Sequence, residues 1–213
     1  MTPLWSRLSV GETQMESHED SLRPVIGGLF PDGGVFIDVG ANVGLWSVHL
    51  GPRASKVVAV EANPVTVPEL RENIALNGLG NVIEVLEVAA WDSDGELSLL
   101  NPSATQDPMA GTMRTVPPEE GLELVPCRRL DEVLDVDRID LVKIDTEGAD
   151  LHVLRGMTEH IARYRPVLFI EMHCRPPCDY YRQEDLTALV ASFGYTYREV
   201  TWATQHHLIC QPA

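Results

Sequence analysis

Two strand-like segments in the second half of the sequence end in side chains that can transfer protons. Alternation along the first segment places Lys143 and Asp145 on one side of the strand. Alternation along the second segment does the same for Glu171 and His173. Because an unperturbed imidazole titrates near neutral pH, His173 is the predicted general base, and Asp145 or Glu171 would orient it or the substrate. Lys143 completes the predicted catalytic set.

Two other interpretations of these residues remain open. In the first, Lys143, Asp145 and Glu171 form a structural ion-pair network, and His173 only caps its strand. In the second, Asp145, Glu171 and His173 bind a divalent cation that holds the substrate oxygens. The residue types suit a cation, but no spacing requires one, so the sequence predicts no metal site.

A glycine-rich loop earlier in the chain predicts a nucleotide-like ligand. The loop follows an apolar strand at 35–39 and contains Gly40, Asn42 and Gly44. Glycines let the backbone turn tightly and approach a ligand closely. Glu61 ends the next predicted strand, 21 residues after Gly40. A carboxylate at this position can accept hydrogen bonds from a ribose diol.

The chemistry of this loop favours S-adenosylmethionine over a dinucleotide. A pyrophosphate needs the pattern G-x-G-x-x-G at a helix N-terminus, with no negative charge nearby. Here the loop reads G-x-N-x-G, and Asp38 lies just before it. A carboxylate there would repel a pyrophosphate but suit the ammonium group of a methionine moiety. An NAD-dependent oxidoreductase is therefore a less favoured class.

The elements that would position these residues alternate between strands and helices. Runs rich in Val, Ile and Leu predict buried strands at 35–39, 57–61, 82–88, 140–145 and 166–171. Amphipathic segments predict helices at 43–50, 65–76, 150–164 and 184–193. This alternation predicts an α/β fold with a parallel sheet covered by helices on both faces. Segments 195–200 and 205–211 predict a C-terminal antiparallel hairpin that closes the sheet.

Length and composition predict one folded domain. The chain has 213 residues, too few for two ordinary domains. Residues 1–30 are predicted to be an N-terminal helical extension, with a helix near 17–26, and 31–213 to form the domain. The segment 101–126 is rich in proline and has no clear period. We interpret it as an insertion loop near the active-site edge, with disorder as the alternative.

The charge of the chain restricts its partners. A net charge of -16, from 16 basic and 32 acidic residues, disfavours nucleic acids and anionic membranes. No segment approaches the roughly 20 apolar residues needed to cross a bilayer, and no basic-then-apolar export signal begins the chain. We therefore expect a cytoplasmic protein that acts on a small molecule. The sequence leaves a homodimer open.

Taken together, the motifs resemble the FkbM family of methyltransferases. The resemblance covers about residues 35–173 and rests on VFIDVGANVG, VEANP, AAWDSDGE, CRRLDEVL, IDLVKIDTEGAD and RPVLFIEMH. It implies a Rossmann-like class I methyltransferase fold with a mostly parallel seven-stranded sheet. It also implies S-adenosylmethionine as the methyl donor and O-methylation of a hydroxyl on a natural product or sugar.

The resemblance implies roles for single residues as well. Four residues would line the methionine end of the cofactor: Asp38, Gly40, Asn42 and Gly44. Glu61 would hold the ribose, Asn63 would lie beside the adenosine, and Ala89 would leave room for the adenine ring. Asp145 and Glu147 would face the donor and acceptor region.

Some alternatives remain open within this resemblance. Trp91 stands where the family commonly has a small residue, and it either narrows the adenine pocket or packs against a helix. The same cofactor site would also serve N- or C-methylation. A non-catalytic module that binds S-adenosylmethionine is the third alternative. An essential His173 would favour oxygen as the acceptor atom, because a neutral amine needs no strong base.

Overall fold

The secondary structure follows the predicted alternation of strands and helices. The computed structural model describes residues 19–100, 114–120, 122–175, 178–179, 181–202 and 205–213. In chain order the strands are β1 (Val35–Val39), β2 (Lys56–Val60), β3 (Ile83–Leu86), β4 (Ala89–Ala90), β5 (Gly95–Leu100), β6 (Arg114–Val116), β7 (Glu123–Arg128), β8 (Leu141–Ile144), β9 (Val167–Glu171), β10 (Cys174–Arg175), β11 (Cys178–Asp179), β12 (Tyr195–Trp202) and β13 (Gln205–Pro212). The helices are α1 (Glu19–Leu29), α2 (Leu45–Leu50), α3 (Val67–Leu76), α4 (Leu130–Val133), α5 (Asp150–Gly156), α6 (Thr158–Tyr164) and α7 (Gln183–Ser192).

Seven strands form the central sheet in the order β12-β13-β9-β8-β1-β2-β3. The pairs β3–β2, β2–β1, β1–β8 and β8–β9 are parallel. Strand β13 runs antiparallel to both β9 and β12. The predicted fold class, a mostly parallel seven-stranded sheet closed by a C-terminal antiparallel hairpin, is confirmed. The apolar runs succeed as predictors because β1 and β8 are buried along their whole length.

The register of the three middle strands brings the predicted site residues together. Val39 at the end of β1 pairs with Val60 of β2 on one side and with Ile144 of β8 on the other. The next residues of these strands are Gly40, Glu61 and Asp145. All three therefore leave the sheet at the same edge, where open α/β sheets bind their ligands.

The packing of the helices divides the core into two layers, one on each face of the sheet. Helix α1 contributes Leu22 and Ile26 to a buried cluster that also contains Phe36 of β1. The opposite layer includes Val153 of α5 and Ile161 of α6. Within the described ranges, no helix combines the length and apolarity needed to cross a membrane.

The single helix predicted at 150–164 is wrong, because the chain forms two helices. Met157 separates α5 from α6 and leaves the helical backbone, with φ of −118°. The hydroxyl of Thr158 donates to the carbonyl of Arg155 at 2.9 Å and so gives the backbone a local alternative to the helical ladder. At Gly156 a Cβ would lie 2.0 Å from the carbonyl oxygen of Trp91, so this residue allows a close approach of the two segments.

A second sheet, with the order β4-β7-β5-β6, was not predicted. The loop predicted at 101–126 is therefore wrong in part, because β6 and the first residues of β7 fall inside that range. Residues 101–113 and 121 lie outside the described residues. Val125 and Cys127 of β7 alternate inward and are almost completely buried, which stabilises the strand. Pro126 between them argued against a strand in the sequence.

Candidate functional site

A cleft of about 670 Å³, including the space open to solvent, lies at the carboxyl ends of β1, β2 and β8. Six of the predicted site residues line it: Gly40, Asn42, Glu61, Ala89, Asp145 and Glu147, the last predicted only from the family resemblance. The remaining predicted residues lie behind or beside its walls.

The two glycines of the loop meet different structural demands. Gly40 has φ of +77°, and a Cβ there would lie 1.8 Å from the carbonyl oxygen of Asp145. Its N–H donates to the carbonyl of Val60 at 3.0 Å, which holds the loop against β2. Gly44 has φ of +91°, and a Cβ there would lie 2.6 Å from Leu70 of α3. Gly40 therefore shapes the cleft wall, whereas Gly44, predicted to line the cofactor, serves the turn into α2.

Glu61 fastens the glycine loop to the end of β2. One carboxylate oxygen accepts a hydrogen bond from the N–H of Asn42, and the other from the N–H of Asn63, both at 2.8 Å. Burial raises the pKa of Glu61 above its ordinary value, and these two hydrogen bonds partly oppose the rise. Each oxygen keeps further acceptor capacity, so a ribose diol can still be bound. The side chain of Asn63 instead accepts from the N–H of Val65 at 3.0 Å, which is a structural role beside the cleft.

Asp38 is completely buried behind the glycine loop and does not line the cleft as expected. Its Oδ2 accepts a hydrogen bond from the hydroxyl of Ser47 at 2.7 Å. Its Oδ1 has no hydrogen-bond partner among the described residues and lies 3.6 Å from Nζ of Lys143. Asp38 can therefore act on a ligand through its negative charge rather than by contact.

Lys143 is buried and links the ends of β1 and β8. Its Nζ lies 3.1 Å from Oδ2 of Asp145 and donates to the carbonyl of Gly40 at 3.2 Å. Burial disfavours the charged form of Asp145, but Lys143 and His173 outweigh this effect and lower the pKa of that carboxyl. These contacts agree with the ion-pair interpretation of Lys143 and place it outside the cleft.

His173 lies behind the cleft and contacts several carboxylates. Its Nδ1 is 3.3 Å from Oδ2 of Asp150, and its Nε2 is 3.5 Å from Glu147 and 3.7 Å from Asp145. Burial disfavours the imidazolium, but the hydrogen bond and charge of Asp150, with the two other carboxylates, raise the pKa of His173 to about 10. An imidazole that is already protonated at neutral pH does not fit the predicted role of general base.

Glu171 ends β9, two residues before His173. Its Oε2 lies 3.4 Å from Nε2 of His207, which faces it across the β9–β13 pair. Asp145, Glu171 and His173 each have one possible ligand atom that lies within 4.8 Å of those of the other two residues. The predicted alternation thus brings these three side chains to one place, although only Asp145 reaches the cleft.

Glu147 is the acidic residue of the turn after β8 that lines the cleft together with Asp145. It has a left-handed backbone with φ of +52°, and Gly148 follows with φ of +105°. A non-glycine residue in this region is uncommon and marks a turn held in place by its surroundings. Burial raises the pKa of Glu147 to about 7, and the charge of His173 partly opposes the rise. Reasoning from the residues alone did not select Glu147, and only the resemblance of the DTEGAD segment indicated it.

The walls of the cleft also include residues that the sequence did not reveal. Thr66 and Thr146 follow strands of the central sheet, and Thr115 comes from β6 of the second sheet. Thr115 had no sequence signal, because its strand was not predicted. Trp91 stacks on His152, with ring centroids 3.6 Å apart, so it packs against α5 and does not narrow the cleft.

The cleft has an acidic and apolar lining that fits S-adenosylmethionine. The charged residues of its described lining are all acidic: Glu61, Asp145 and Glu147. Such a lining suits the sulfonium and ammonium groups of S-adenosylmethionine, whereas a pyrophosphate requires backbone N–H groups or cations. Ala62 and Ala89 provide small apolar walls near Glu61, where an adenine ring has room.

Comparisons with known proteins agree with this description. Residues 38–197 match the family described as Methyltransferase FkbM domain. The chain is 30% identical over 166 residues to the methyltransferase sdnD of Sordaria araneosa, covering 61% of this chain and 62% of that protein. It is 32% identical over 142 residues to the hexuronic acid methyltransferase AglP of Haloferax volcanii, covering 65% and 56%. The crystal structure of methyltransferase FkbM from Methylobacillus flagellatus matches the fold with a TM-score of 0.56 and 21% identity, covering 84% of this chain and 44% of that one.

The seven-stranded sheet, with a cleft at its carboxyl edge, is the Rossmann-like fold of class I methyltransferases. The chain belongs to the FkbM methyltransferase family, whose methyl donor is S-adenosylmethionine. It spans 62% and 56% of the length of the two curated relatives.

Replacing Glu61 with glutamine is expected to weaken the binding of S-adenosylhomocysteine about tenfold, because the ribose loses a charge-assisted acceptor. Since the pKa of Glu61 is raised, the wild-type affinity should also fall as the pH drops from 7 towards 5, and Glu61→Gln should reduce this dependence. Isothermal titration calorimetry at several pH values measures both effects. Glu72→Gln, an exposed position on α3, is the matched control. Equal affinities of Glu61→Gln and wild type would contradict the assigned role.

Proposed function

We propose that this protein is an S-adenosylmethionine-dependent O-methyltransferase that acts on a hydroxyl of a small molecule, such as a natural product or sugar. The observation that carries the proposal is a cleft at the carboxyl edge of the sheet whose charged lining residues, within the described part of the chain, are all acidic. This lining suits a cationic methyl donor and supplies a carboxylate that can accept the proton of a hydroxyl.

The residues on the β1 and β2 side of the cleft would hold the donor. Glu61 would accept hydrogen bonds from the ribose hydroxyls, and Ala62 and Ala89 would leave space for the adenine. Gly40, which has no side chain, would leave room for the methionine end, and the buried Asp38 would add negative charge near it. When bound, S-adenosylmethionine supplies a methyl group on a sulfonium, which is reactive without further activation.

The residues after β8 would act on the acceptor. Glu147 is the base in this proposal, because its carboxylate lines the cleft and its side chain keeps 26% of its exposure. Asp145 is the less suitable base, since Lys143 binds one of its oxygens and lowers the pKa of that carboxyl. Lys143 and His173 thus position the two acidic residues and do not contact the acceptor.

The charge of the cleft also bears on the acceptor. A carboxylate-bearing acceptor would meet the repulsion of Glu147 and Asp145, so a neutral hydroxylated molecule is the favoured class. The name of one relative, a hexuronic acid methyltransferase, supports a sugar acceptor, but a hexuronic acid itself carries a carboxylate that this lining would repel. The net charge of -16 makes a nucleic acid acceptor unfavourable.

The test is transfer of a labelled methyl group from S-adenosylmethionine to a panel of neutral polyols, phenols and sugars, with amines and sugar acids in parallel. The proposal predicts a labelled product that resists mild base and carries the label on oxygen, as determined by NMR. Label on nitrogen or carbon would overturn O-methylation. Tight binding of S-adenosylhomocysteine without transfer to any acceptor would favour a non-catalytic module.

A further inference from the structure

The cluster of Asp145, Glu171 and His173 has the composition of a metal site. One ligand atom from each residue lies within 4.8 Å of the others, and the cluster combines two carboxylates with one imidazole. We propose that these three residues bind a first-row divalent cation, with Mn²⁺ as the representative ion, beside the methyl-donor cleft. This inference goes beyond the proposed function, since it concerns a second ligand and is tested by binding.

The first argument for the cation is the orientation of His173. The imidazole is almost completely buried, and Nδ1 lies 3.3 Å from Oδ2 of Asp150, a carboxylate with no exposed surface. Asp150 is itself fixed by the hydroxyls of Thr146 and Tyr181, each donating at 2.8 Å. Imidazole ligands of metals are commonly oriented by such a carboxylate on the other ring nitrogen. This arrangement turns Nε2 towards Asp145.

The second argument is the spacing of the ligand atoms. Nε2 of His173 lies 3.7 Å from Oδ1 of Asp145, which is too long for a hydrogen bond. Two atoms that share a cation at about 2.1 Å lie roughly 3.0–3.4 Å apart in octahedral or tetrahedral geometry. The observed separation exceeds this range by about 0.3–0.7 Å, so the two atoms would approach each other when both bind one ion. Lys143 binds the other oxygen of Asp145, which leaves Oδ1 for the cluster.

The third argument is the local excess of negative charge. Four carboxylates surround His173: Asp145, Glu147, Asp150 and Glu171. Lys143 contacts Asp145, His207 contacts Glu171, and the proton on His173 offsets a further part of this charge when no cation is bound. A cation between Asp145, Glu171 and His173 would displace that proton and balance the charge in its place. Carboxylate oxygens with one imidazole suit Mn²⁺ or a similar ion.

The position of the cluster indicates what the cation would do. Asp145 belongs both to the cluster and to the lining of the cleft. A cation held there would reach oxygens of an acceptor that carries a vicinal diol or a hydroxy-keto group, and it would make the hydroxyl more acidic. The acceptor class that follows is one with two adjacent oxygens.

The test is titration of the chelator-treated, full-length protein with Mn²⁺, in which electron paramagnetic resonance measures the free ion. We expect one saturable site per chain, weakened about tenfold or more by Glu171→Gln and by His173→Ala. Glu199→Gln is the matched control, because Glu199 also pairs with a histidine of β13, at 3.1 Å, but lies outside the cluster. This control should bind as the wild type does.

Two results would overturn the proposal. One is the absence of a saturable Mn²⁺ site in the wild type, and the other is Mn²⁺ binding as tight in Glu171→Gln and His173→Ala as in the wild type. Circular dichroism and S-adenosylhomocysteine binding identify a variant that fails to fold. If His173→Ala does not fold, the Mn²⁺ affinity of the more conservative variant Glu171→Gln tests the proposal. Mn²⁺ binding and methyl transfer are measured separately, so a negative result for one proposal does not contradict the other.

Discussion

Replacing Gly40 with alanine is expected to destabilise the protein by at least about 3 kcal/mol, which is a large share of the stability of a typical domain. The new Cβ would lie 1.8 Å from the carbonyl oxygen of Asp145, a backbone atom directly after β8 that cannot move aside easily, because the N–H of Asp145 donates to the carbonyl of Val39. The left-handed φ of +77° adds strain for any residue with a side chain. Chemical denaturation followed by circular dichroism measures the change.

Two other glycines separate the contributions to this effect. Gly78 also has a positive φ, of +68°, but a Cβ there meets no atom within 4 Å, so Gly78→Ala should cost only about 1 kcal/mol. Gly28 lies on α1 in open space with no positive φ, and Gly28→Ala should be neutral or slightly stabilising. If Gly40→Ala destabilised the protein no more than Gly78→Ala does, the close contact described between Gly40 and Asp145 would be contradicted.

Replacing Glu147 with glutamine is expected to lower kcat by a factor of about 10² to 10⁴, with a much smaller change in the affinity for S-adenosylhomocysteine. Glutamine keeps the size of the side chain but cannot accept the proton of a hydroxyl. Steady-state kinetics with an acceptor from the labelled-methyl screen measures kcat, and calorimetry measures the affinity.

The comparison variants for this prediction are Glu159→Gln and His173→Gln. Glu159 is exposed on α6, away from the cleft, so its replacement should leave kcat unchanged. His173→Gln should lower kcat less than Glu147→Gln, because His173 does not line the cleft. A kcat of Glu147→Gln within threefold of wild type would exclude Glu147 as the base. If His173→Gln abolished turnover and Glu147→Gln did not, Glu147 would not be the base.

The central sheet could be predicted from the sequence because its strands are buried on both faces. Strand β1 was predicted with the correct bounds, and β2, β8 and β9 to within one residue at each end. The second sheet could not be predicted, since β4 and β6 have only two and three residues and Pro126 interrupts the pattern of β7. The break at Met157 escaped because it depends on the close packing of Gly156 against Trp91, which no local pattern reveals.

The candidate site was predictable where it depends on strand ends. Gly40, Glu61 and Asp145 each follow the last paired residue of a parallel strand, so the sheet places them at one edge. The predicted roles of Lys143 and His173 depend instead on which side chains reach the cleft. Both are buried behind it among carboxylates, and that arrangement becomes visible only in three dimensions.

The most direct test of the central claim is calorimetric titration of the purified protein with S-adenosylhomocysteine, with NAD titrated in parallel. We expect saturable binding of S-adenosylhomocysteine at one site per chain, weaker binding in Glu61→Gln, and no binding of NAD, because the charged lining of the cleft is acidic. Binding of NAD instead, or no binding of S-adenosylhomocysteine by the folded protein, would contradict the assignment of this cleft as the methyl-donor site.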